Sequence, residues 1–316
     1  MKKRVLFYMP FKLVTYEIKE PTRAFLYLIK ELGFTQKEAQ RFIAKGRLFV
    51  DDLPMTHTQK ELVGEITLAE FVPETQGLNS IYDNEHFALF DKPSGLLVHP
   101  SSRYTPYSLI DEVKYHYGKD ANIVHRIDQE TSGLILAAKN KASERALKMM
   151  FENRKVKKSY RALVKGKIEE AFLIDEPIHR HHDQDAIVKI MMQIDTQGKP
   201  SQTYIIPLKY FPKQDMTLVS AEPHTGRQHQ IRVHLFHVKH PIVGDPLYNV
   251  PLEIASDFLN KKLTVEERTK HAGAYRLLLH AHHLEFEFEG LEYELDSDVD
   301  FEAVCKDVLD LSEKDL

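Results

Sequence analysis

The spacing of apolar and polar positions predicts amphipathic helices interleaved with short strands. Residues 22–47 carry apolar side chains at helical spacing on both sides of Gly33, and Thr35 with Glu38 three residues on is typical of a capped helix start. This segment therefore predicts two helices. A further helix is predicted by apolar residues that share one face, namely Ala142, Ala146, Leu147, Met150 and Phe151. Another is predicted by Ile231, Leu235 and Val238.

Other segments have the pattern of strands. Residues 81–100 predict a strand, a turn at Asn84, a second strand through Leu89 and Phe90, and a Lys-Pro-Ser-Gly turn into a third strand. The apolar run "LILAAK" after Gly133 predicts a buried strand, and "KKSYRALVKG" predicts another. Because strands outnumber helices and their spacing varies, we expect an α+β fold with a mixed, largely antiparallel sheet.

Composition narrows the class of protein. With 316 residues, 42% of them hydrophobic, and no run of eighteen apolar residues, the chain is expected to be a soluble globular protein of two domains without membrane spans. The basic start "MKKRVLFYMPFKL" is not followed by a long apolar segment, so we expect no signal peptide and a cytoplasmic location. The single cysteine, Cys305, excludes an internal disulfide and a cysteine-based metal cluster. We expect a monomer.

Charge is distributed unevenly along the chain. The net charge is −4, but residues 285–316 hold thirteen acids and two lysines, so the preceding 284 residues carry a net charge of +7. The acidic segment is interpreted as a solvated face or cap without chemistry. The basic remainder is compatible with a nucleic-acid partner.

The stretch "HRIDQETSG", residues 125–133, places an aspartate in a turn just before the predicted buried strand. On these residues alone, a salt bridge between Asp128 and Arg126 or an Asx turn explains the aspartate at least as well as chemistry does. The rest of the chain decides between the two interpretations.

The N-terminal helices resemble a known RNA-binding unit. Two short helices, a small strand pair after Gly46 and a basic second helix resemble the alpha-L module of a ribosomal protein and of many RNA-modifying enzymes. This resemblance implies RNA contacts from basic side chains, namely Arg23, Lys37, Arg41, Lys45 and Arg47. We expect an alpha-L RNA-binding domain over residues 1–74, a linker over 75–80, and a catalytic domain with an acidic tail over 81–316. An ordinary helical domain with a solvated basic face is the alternative.

The rest of the chain resembles the RluA-type pseudouridine synthases. The blocks "DKPSGLLVHP", "HRIDQETSGLILAAKN", "KKSYRALVKG", "PHTGRQHQIRVHLFHVKHPIVGDPLY" and "RLLLHAHHLEF" occur in the order and approximate spacing of that family, from about Ile81 to Phe286. The resemblance implies a pseudouridine synthase fold and an isomerisation of uridine in RNA. That reaction detaches the base from ribose, turns it and rejoins it through carbon, so it needs no cofactor.

The resemblance also implies roles for individual residues. Asp128 matches the family's essential aspartate, Tyr160 its pocket tyrosine, and Arg227 the arginine of its "TGRQHQIR" motif. Tyr160 is expected to stack on uracil, and its hydroxyl to assist proton removal. Arg227 is expected to pair with Asp128 and keep it ionised, with a surface salt bridge or a phosphate contact as the alternatives.

Some details are left open by the sequence. His125 and Arg126 are expected to make phosphate or structural contacts rather than take part in chemistry. The chain departs from the family pattern with Ile at 127, Ser201, and Gln228 beside Arg227, which puts only fine geometry in doubt. Whether Asp128 attacks the base, attacks the sugar or removes a ribose proton is not decided.

Two other enzyme classes have weaker support. The segments "HRHHD" (179–183) and "HAHH" (280–283) invite a metal site, but we expect none, because histidine-rich loops of RNA-facing proteins more often contact solvent or phosphate. "HRID" is similar to the kinase catalytic loop, but it has one residue too many and no phosphate-binding glycine loop precedes it.

We therefore expect an RNA pseudouridine synthase that uses no cofactor and acts on large-subunit ribosomal RNA, with transfer RNA as the second candidate substrate. The alternatives are a non-catalytic ribosome-assembly protein that binds RNA, and a metal-dependent hydrolase. The presence of Asp128, Tyr160 and Arg227 together argues against the first of these.

Overall fold

The structure, a computed structural model, describes residues 11–101, 105–180, 188 and 190–310. Its contacts divide the chain into two units. One contains Met1–Gly77 and His99–Tyr115, and the other contains Leu78–Val98 and His116–Leu316. The first division falls within the predicted linker. Residues 99–115, which the sequence assigned to the catalytic domain, cluster with the N-terminal unit.

The N-terminal unit combines a four-stranded antiparallel sheet with two helices, in the order β1-β4-β2-β3 across the sheet. Its elements are β1 (Phe11–Arg23), α1 (Ala24–Lys30), α2 (Gln36–Ala44), β2 (Leu48–Val50), β3 (Leu53–Met55) and β4 (Glu61–Phe71). Helix α2 begins with the predicted capping box, in which Thr35 accepts from the backbone N–H of Glu38 and the Glu38 side chain accepts from that of Thr35. The two predicted helices are therefore confirmed.

The core of this unit forms between the helices and one face of the sheet. Leu28, Ile43, Leu48 and Leu68 are fully buried there. The predicted linker is bound at its start, because the Thr75 hydroxyl and the Gln76 N–H both donate to the carboxylate of Glu112.

The larger unit is built on a ten-stranded sheet flanked by helices. Its first elements are β5 (Tyr82–Asp83), β6 (Phe87–Lys92), α3 (Leu109–Tyr117, begun in the other unit), β7 (Asn122–Ile123), β8 (Ser132–Ala138), α4 (Lys141–Glu152) and β9 (Lys157–Lys165). Then follow β10 (Phe172–Asp175), β11 (Ile178–Arg180), β12 (Met192–Ile194), β13 (Gln202–Phe211), β14 (Met216–Pro223) and α5 (Gln230–His237). The chain continues with α6 (Leu252–Leu259), α7 (Val265–Ala272), β15 (Leu279–Phe288), β16 (Leu291–Asp296) and α8 (Phe301–Val308).

The sheet is mixed and mostly antiparallel. Its strand order is β10-β13-β14-β9-β15-β8-β6-β5, with β16 paired to β15 and β7 to β8, and β11 and β12 form a separate hairpin. Among the described residues, β15 and β8 are the one parallel pair, and every other pairing is antiparallel. The α+β expectation with a mixed, largely antiparallel sheet is therefore confirmed.

Gly133 explains why the "HRIDQETSG" block ends on glycine. It is the second residue of β8 and lies beside Ala281 of β15, with a φ of +108°. A Cβ at this position would lie 2.2 Å from the Ala281 carbonyl oxygen. Both the backbone conformation and the close approach require a residue without a side chain. The glycine thus lets the loop before β8 join the middle of the sheet.

One expectation about the strands differs from the structure. The third strand expected within 81–100 is absent, because residues after the Lys-Pro-Ser-Gly turn are turns and irregular backbone. Much of the acidic segment 285–316 is folded as the end of β15, β16 and α8, and Phe301, Cys305 and Val308 of α8 pack in a hydrophobic cluster. Its acids are mostly on exposed positions of these elements. No helix within the described residues is long and apolar enough to cross a membrane.

Candidate active site

A cavity of about 790 Å³ lies within the larger unit. Its walls come from the loop before β8, the end of α4, β9, the end of β14 and the start of α5. It brings together the five residues that the sequence singled out in this unit, namely His125, Arg126, Asp128, Tyr160 and Arg227. His125, Arg126 and Asp128 are close together in the chain, but Tyr160 and Arg227 are distant from them, so the convergence of the three segments is a property of the sheet topology.

Asp128 lines this cavity from a tight turn. Its carbonyl oxygen accepts from the N–H of Thr131 at 3.2 Å, which closes the turn before β8. About a quarter of its side chain (27%) is exposed. The turn thus presents the carboxylate to the cavity while the backbone enters the sheet.

The carboxylate of Asp128 is paired with Arg232, which corrects the expected pairing with Arg227. Arg232 donates from Nη1 to Oδ2 of Asp128 at 2.9 Å, and from Nε and Nη2 to the two oxygens of Asp245, both at 2.8 Å. The Arg232 and Asp245 side chains are only 3% and 1% exposed. Asp245 is fixed in turn by the N–H groups of Leu247 and Tyr248. The buried guanidinium of Arg232, itself fixed by Asp245, therefore orients the carboxylate of Asp128 through one of its two oxygens.

This pairing sets the ionisation of Asp128. Burial alone would raise the pKa of its carboxyl group, but the charge of Arg232, its hydrogen bond and the neighbouring His229 lower the pKa below the usual 3.8. Burial also lowers the pKa of His229 to about 4, so this ring is neutral at neutral pH. The ionised state of Asp128 at neutral pH therefore depends chiefly on Arg232.

One oxygen of Asp128 is left free to react. Arg232 bonds Oδ2, and His229 Nε2 is 3.8 Å from that same atom. Within the described part of the chain, no donor lies within hydrogen-bond distance of Oδ1. The arrangement thus combines a fixed, ionised carboxylate with one uncommitted oxygen.

Arg227 lies in the cavity wall without contacting Asp128. Its Nη2 makes a long hydrogen bond of 3.4 Å to the carbonyl of Pro200, and its buried Nε has no hydrogen-bond partner in the described chain. Its backbone N–H donates to the side-chain oxygen of Gln230, which also accepts from Thr225. The loop that carries Arg227 is therefore rigid, although its guanidinium is not paired with an acid.

Tyr160 faces the cavity from β9. Its ring packs against the hydrophobic cluster formed by the central strands. Burial first, and then the charge of Asp128, raise the pKa of its hydroxyl above the usual value of 10. The side chain is therefore a neutral phenol at neutral pH, able to stack and to donate a hydrogen bond.

The two residues that flank the aspartate have different environments. His125 accepts from the N–H of Leu136 through Nε2 and stacks on Phe151, with ring centroids 4.3 Å apart. Burial, with the charge of Lys158, lowers its pKa to about 3, so it is a neutral structural residue and not a cation for RNA phosphate. Arg126 is exposed at the cavity, in a position open to RNA.

The cavity as a whole is positively charged. Its lining includes six arginines and lysines but only two acids. The basic residues are Arg126, Lys148, Arg154, Lys158, Arg227 and Arg232, and the acids are Asp128 and Glu152. Such a lining favours a polyanion such as RNA.

Lys92 of the "DKPSG" block stabilises the loop that carries Asp128. Its side chain is fully buried, and its ammonium donates to the carbonyls of Pro93, Leu96 and Gln129 at 2.9–3.0 Å. Burial lowers its pKa to about 7, although the charges of Glu130 and Asp128 oppose that shift. Because Gln129 follows Asp128 directly, this lysine fixes the backbone that presents the carboxylate.

We expect Lys92→Met to lower the free energy of unfolding by about 2 kcal/mol, because three buried carbonyls lose their donor. Turnover should also fall, since the Asp128 loop loses an anchor. Lys139→Met is the control, because Lys139 donates to only one carbonyl, that of Asn84, and its other contacts, with Asp83 and the Tyr117 ring, are also away from this loop. Urea unfolding of both variants checks the prediction, and equal stability of the two would contradict it.

The predicted RNA-binding cations of the N-terminal unit lie on its surface. Arg23, Lys37, Arg41 and Lys45 are exposed, and the guanidinium of Arg47 stacks 4.1 Å from the ring centre of Phe11. Burial first, and then the charges of Arg47 and Arg41, lower the pKa of Lys45. Three cations are thus grouped at the end of α2 and the start of β2.

The histidine segments do not form a metal site in the described chain. Residues 181–183 of "HRHHD" lie outside the described residues. His280 uses Nδ1 with Ser132 and Nε2 with Ser297, and burial lowers its pKa to about 3. No group of three or more His, Cys, Asp or Glu among the described residues has a metal-binding arrangement.

Comparison with known proteins identifies the family. Residues 86–237 match the family model described as RNA pseudouridylate synthase. An uncharacterized RNA pseudouridine synthase of Helicobacter pylori (strain J99) is 39% identical over 290 residues, which cover 92% of this chain and 96% of that protein. Ribosomal large subunit pseudouridine synthase D of Buchnera aphidicola (subsp. Acyrthosiphon pisum) is 32% identical, over 79% of this chain and 81% of that protein. Human RNA pseudouridylate synthase domain containing 1 has a similar structure, with a TM-score of 0.56 and 26% identity, over 72% of this chain and 86% of that one.

The fold and the relatives together define an RNA-modifying isomerase. This chain belongs to the RluA-type RNA pseudouridine synthases. It converts uridine in RNA to pseudouridine.

Sequence reasoning missed Arg232 and Asp245. A signal was present: "QIRVHLF" places Arg232 between Ile231 and Val233 of a predicted helix, and a buried arginine requires acidic partners. Asp245 was visible in the turn "VGDPLY", but its distance from Arg232 depends on how the chain folds back after α5.

Proposed function

We propose that this enzyme modifies a uridine of large-subunit ribosomal RNA, with Asp128 as the reacting group. The observation that carries the substrate assignment is the relative from Buchnera aphidicola, which is named for the ribosomal large subunit and is similar over about four fifths of both chains. Further proteins with the same name, from Pseudomonas aeruginosa and Neisseria meningitidis, are 34% and 33% identical. The basic cavity is compatible with this substrate.

In the proposed reaction, the target uridine leaves the RNA stack and enters the cavity. Unstacking a base costs a few kcal/mol, which phosphate contacts and stacking on Tyr160 offset. Oδ1 of Asp128 is the atom that reacts, because Arg232 occupies Oδ2. Arg232 acts through Asp128 by keeping it ionised and oriented, so it is a positioning residue.

Tyr160 contributes chiefly by stacking. Because its pKa is raised, the hydroxyl retains its proton at neutral pH and serves as a hydrogen-bond donor instead of a phenolate base. The neutral phenol ring and the surrounding apolar cluster also hold the detached base away from bulk water.

The substrate assignment is tested by mapping pseudouridines in ribosomal and transfer RNA from cells with and without the gene. We expect at least one site in large-subunit ribosomal RNA to disappear without the gene and to return when the wild-type chain, but not Asp128→Asn, is supplied. Loss of sites in transfer RNA alone would contradict the assignment and leave the reaction class intact.

The N-terminal unit is proposed to bind the structured RNA around the target. Replacing Arg41 and Lys45 together by Gln should weaken binding to large-subunit ribosomal RNA transcripts and make the slope of log affinity against log salt shallower by up to about two. Lys12→Gln with Lys19→Gln is the control, since it removes the same charge from β1, where Lys12 is paired with Glu74. Filter-binding titrations over a range of salt measure both slopes. Equal slopes for the two double variants would show that the α2 cations do not contact the RNA.

A further inference from the structure

Lys158 is a cation in the cavity wall that has no partner among the residues that the structure describes. It lies on β9 two residues before Tyr160, so both side chains are on the same face of the strand, and both line the cavity. Within the described chain, its ammonium makes no hydrogen bond or ion pair. Its neighbour Lys157 points to the opposite face, is exposed, and pairs with Glu285 at 2.6 Å.

The position of Lys158 is unfavourable for the unliganded protein. Burial lowers its pKa, and no acid in the described part of the chain pairs with it to compensate for the lost hydration. A lysine that served only to stabilise the fold would have an acceptor, as Lys92 has three carbonyls. The missing acceptor is therefore expected to come from the ligand.

A second donor without an acceptor faces the same cavity. The buried Nε of Arg227 has no hydrogen-bond partner among the described residues. Gly226, which precedes it, lies against Lys158, because a Cβ built on Gly226 would be 3.8 Å from the ammonium nitrogen. The lack of a side chain at 226 leaves the space over Lys158 open. Two cationic donors on adjoining walls fit the anionic oxygens of a phosphate group better than a neutral group.

We propose that Lys158, together with Arg227, binds a phosphate group of the target uridine nucleotide. Lys158 and Tyr160 lie about 7 Å apart along the strand. A nucleotide spans a comparable length between its base and its phosphate, since one ribose separates them. With the base stacked on Tyr160, one of the adjoining phosphates reaches Lys158. This subsite deepens the RNA-modifying function and does not depend on which RNA is the substrate.

The test compares binding of uridine, uridine 5′-monophosphate and uridine 3′-monophosphate to the full-length enzyme by calorimetric titration at constant ionic strength. One of the two monophosphates should bind the wild type about tenfold more tightly than uridine does. Lys158→Met should abolish that preference, and Lys158→Arg should retain it in part. Lys157→Met, which removes the adjacent lysine on the opposite face, should keep it.

A thermal melt separates loss of the subsite from loss of the fold. Lys158→Met should melt at the wild-type temperature or higher, because it removes a half-buried ammonium that has no partner. The proposal is overturned if wild type shows no preference for either monophosphate, if the preference survives in Lys158→Met, or if Lys157→Met reduces it equally. Mononucleotides carry no sequence, so these results are independent of the ribosomal assignment.

Discussion

Asp128→Asn is expected to reduce turnover by at least about a thousandfold, which corresponds to roughly 4 kcal/mol in the barrier. The substitution removes the negative charge and the nucleophilic oxygen while it preserves size and suits the turn equally well. The fold should be retained, because Arg232 keeps its two hydrogen bonds to Asp245. The charged group formed by Arg232, Asp128 and Asp245 changes from one cation and two anions to one cation and one anion. Melting temperature should therefore stay the same or rise.

Tritium release from RNA labelled at carbon 5 of uridine, combined with a thermal melt and an RNA-binding titration, measures these effects. A structural role for Asp128 predicts the reverse pattern, in which the variant melts earlier but retains turnover in proportion to its folded fraction. Turnover within about tenfold of wild type, roughly 1.4 kcal/mol, would exclude Asp128 as the reacting group.

Removing the charge of Arg232 is expected to shift the activity of the enzyme towards higher pH. The wild-type pKa of Asp128 lies below 3.8, so the carboxylate remains ionised as pH falls through the neutral and mildly acidic range. Without Arg232, burial dominates and raises that pKa, and activity is lost as pH falls through the raised value. Turnover at neutral pH should fall about a hundredfold, or roughly 2.7 kcal/mol in the barrier, and recover in part as pH rises.

Arg232→Met alone leaves Asp245 buried and unpaired, which costs about 3–5 kcal/mol of stability. The double variant Arg232→Met with Asp245→Asn removes the unpaired negative charge at position 245 and is the better test. Arg227→Met is the control, because Arg227 makes no bond to Asp128, and its pH–rate profile should keep the wild-type shape. An unchanged profile in the double variant, or an equal shift in Arg227→Met, would contradict the assignment of Arg232.

Local patterns were sufficient to predict much of the fold. The capping box at Thr35, the buried strand after Gly133 and helix α5 are determined by residues close together in the chain, and the structure confirms each. The expected single apolar face of α5 was wrong, because Gln230, Arg232 and His234 are buried as well. The expected strand near Leu97 was wrong, because Lys92 uses the carbonyl of Leu96 as an acceptor and the backbone there is irregular. An apolar run alone does not reveal such a tertiary bond.

The sequence predicted three residues of the active site but missed the arginine that pairs with Asp128. Asp128, Tyr160 and Arg227 line one cavity, as their positions in the family blocks implied. Which arginine bonds Asp128 depends on the orientation of α5 and on the turn that carries Asp245, and both are set by packing between distant segments. His125, close to the turn that carries Asp128, accepts a hydrogen bond from Leu136 and stacks on Phe151, and both contacts come from distant segments.

The most direct test of the account uses RNA labelled with tritium at carbon 5 of uridine. The purified wild-type enzyme is incubated with this RNA, which is then digested with nuclease so that the nucleosides can be separated. RNA from cells that lack the gene is the substrate, and Asp128→Asn is the parallel control. We predict that tritium release equals the pseudouridine formed, with no free uracil and no product from the variant. Release of free uracil, or pseudouridine formation by Asp128→Asn at the wild-type rate, would contradict an isomerisation centred on Asp128.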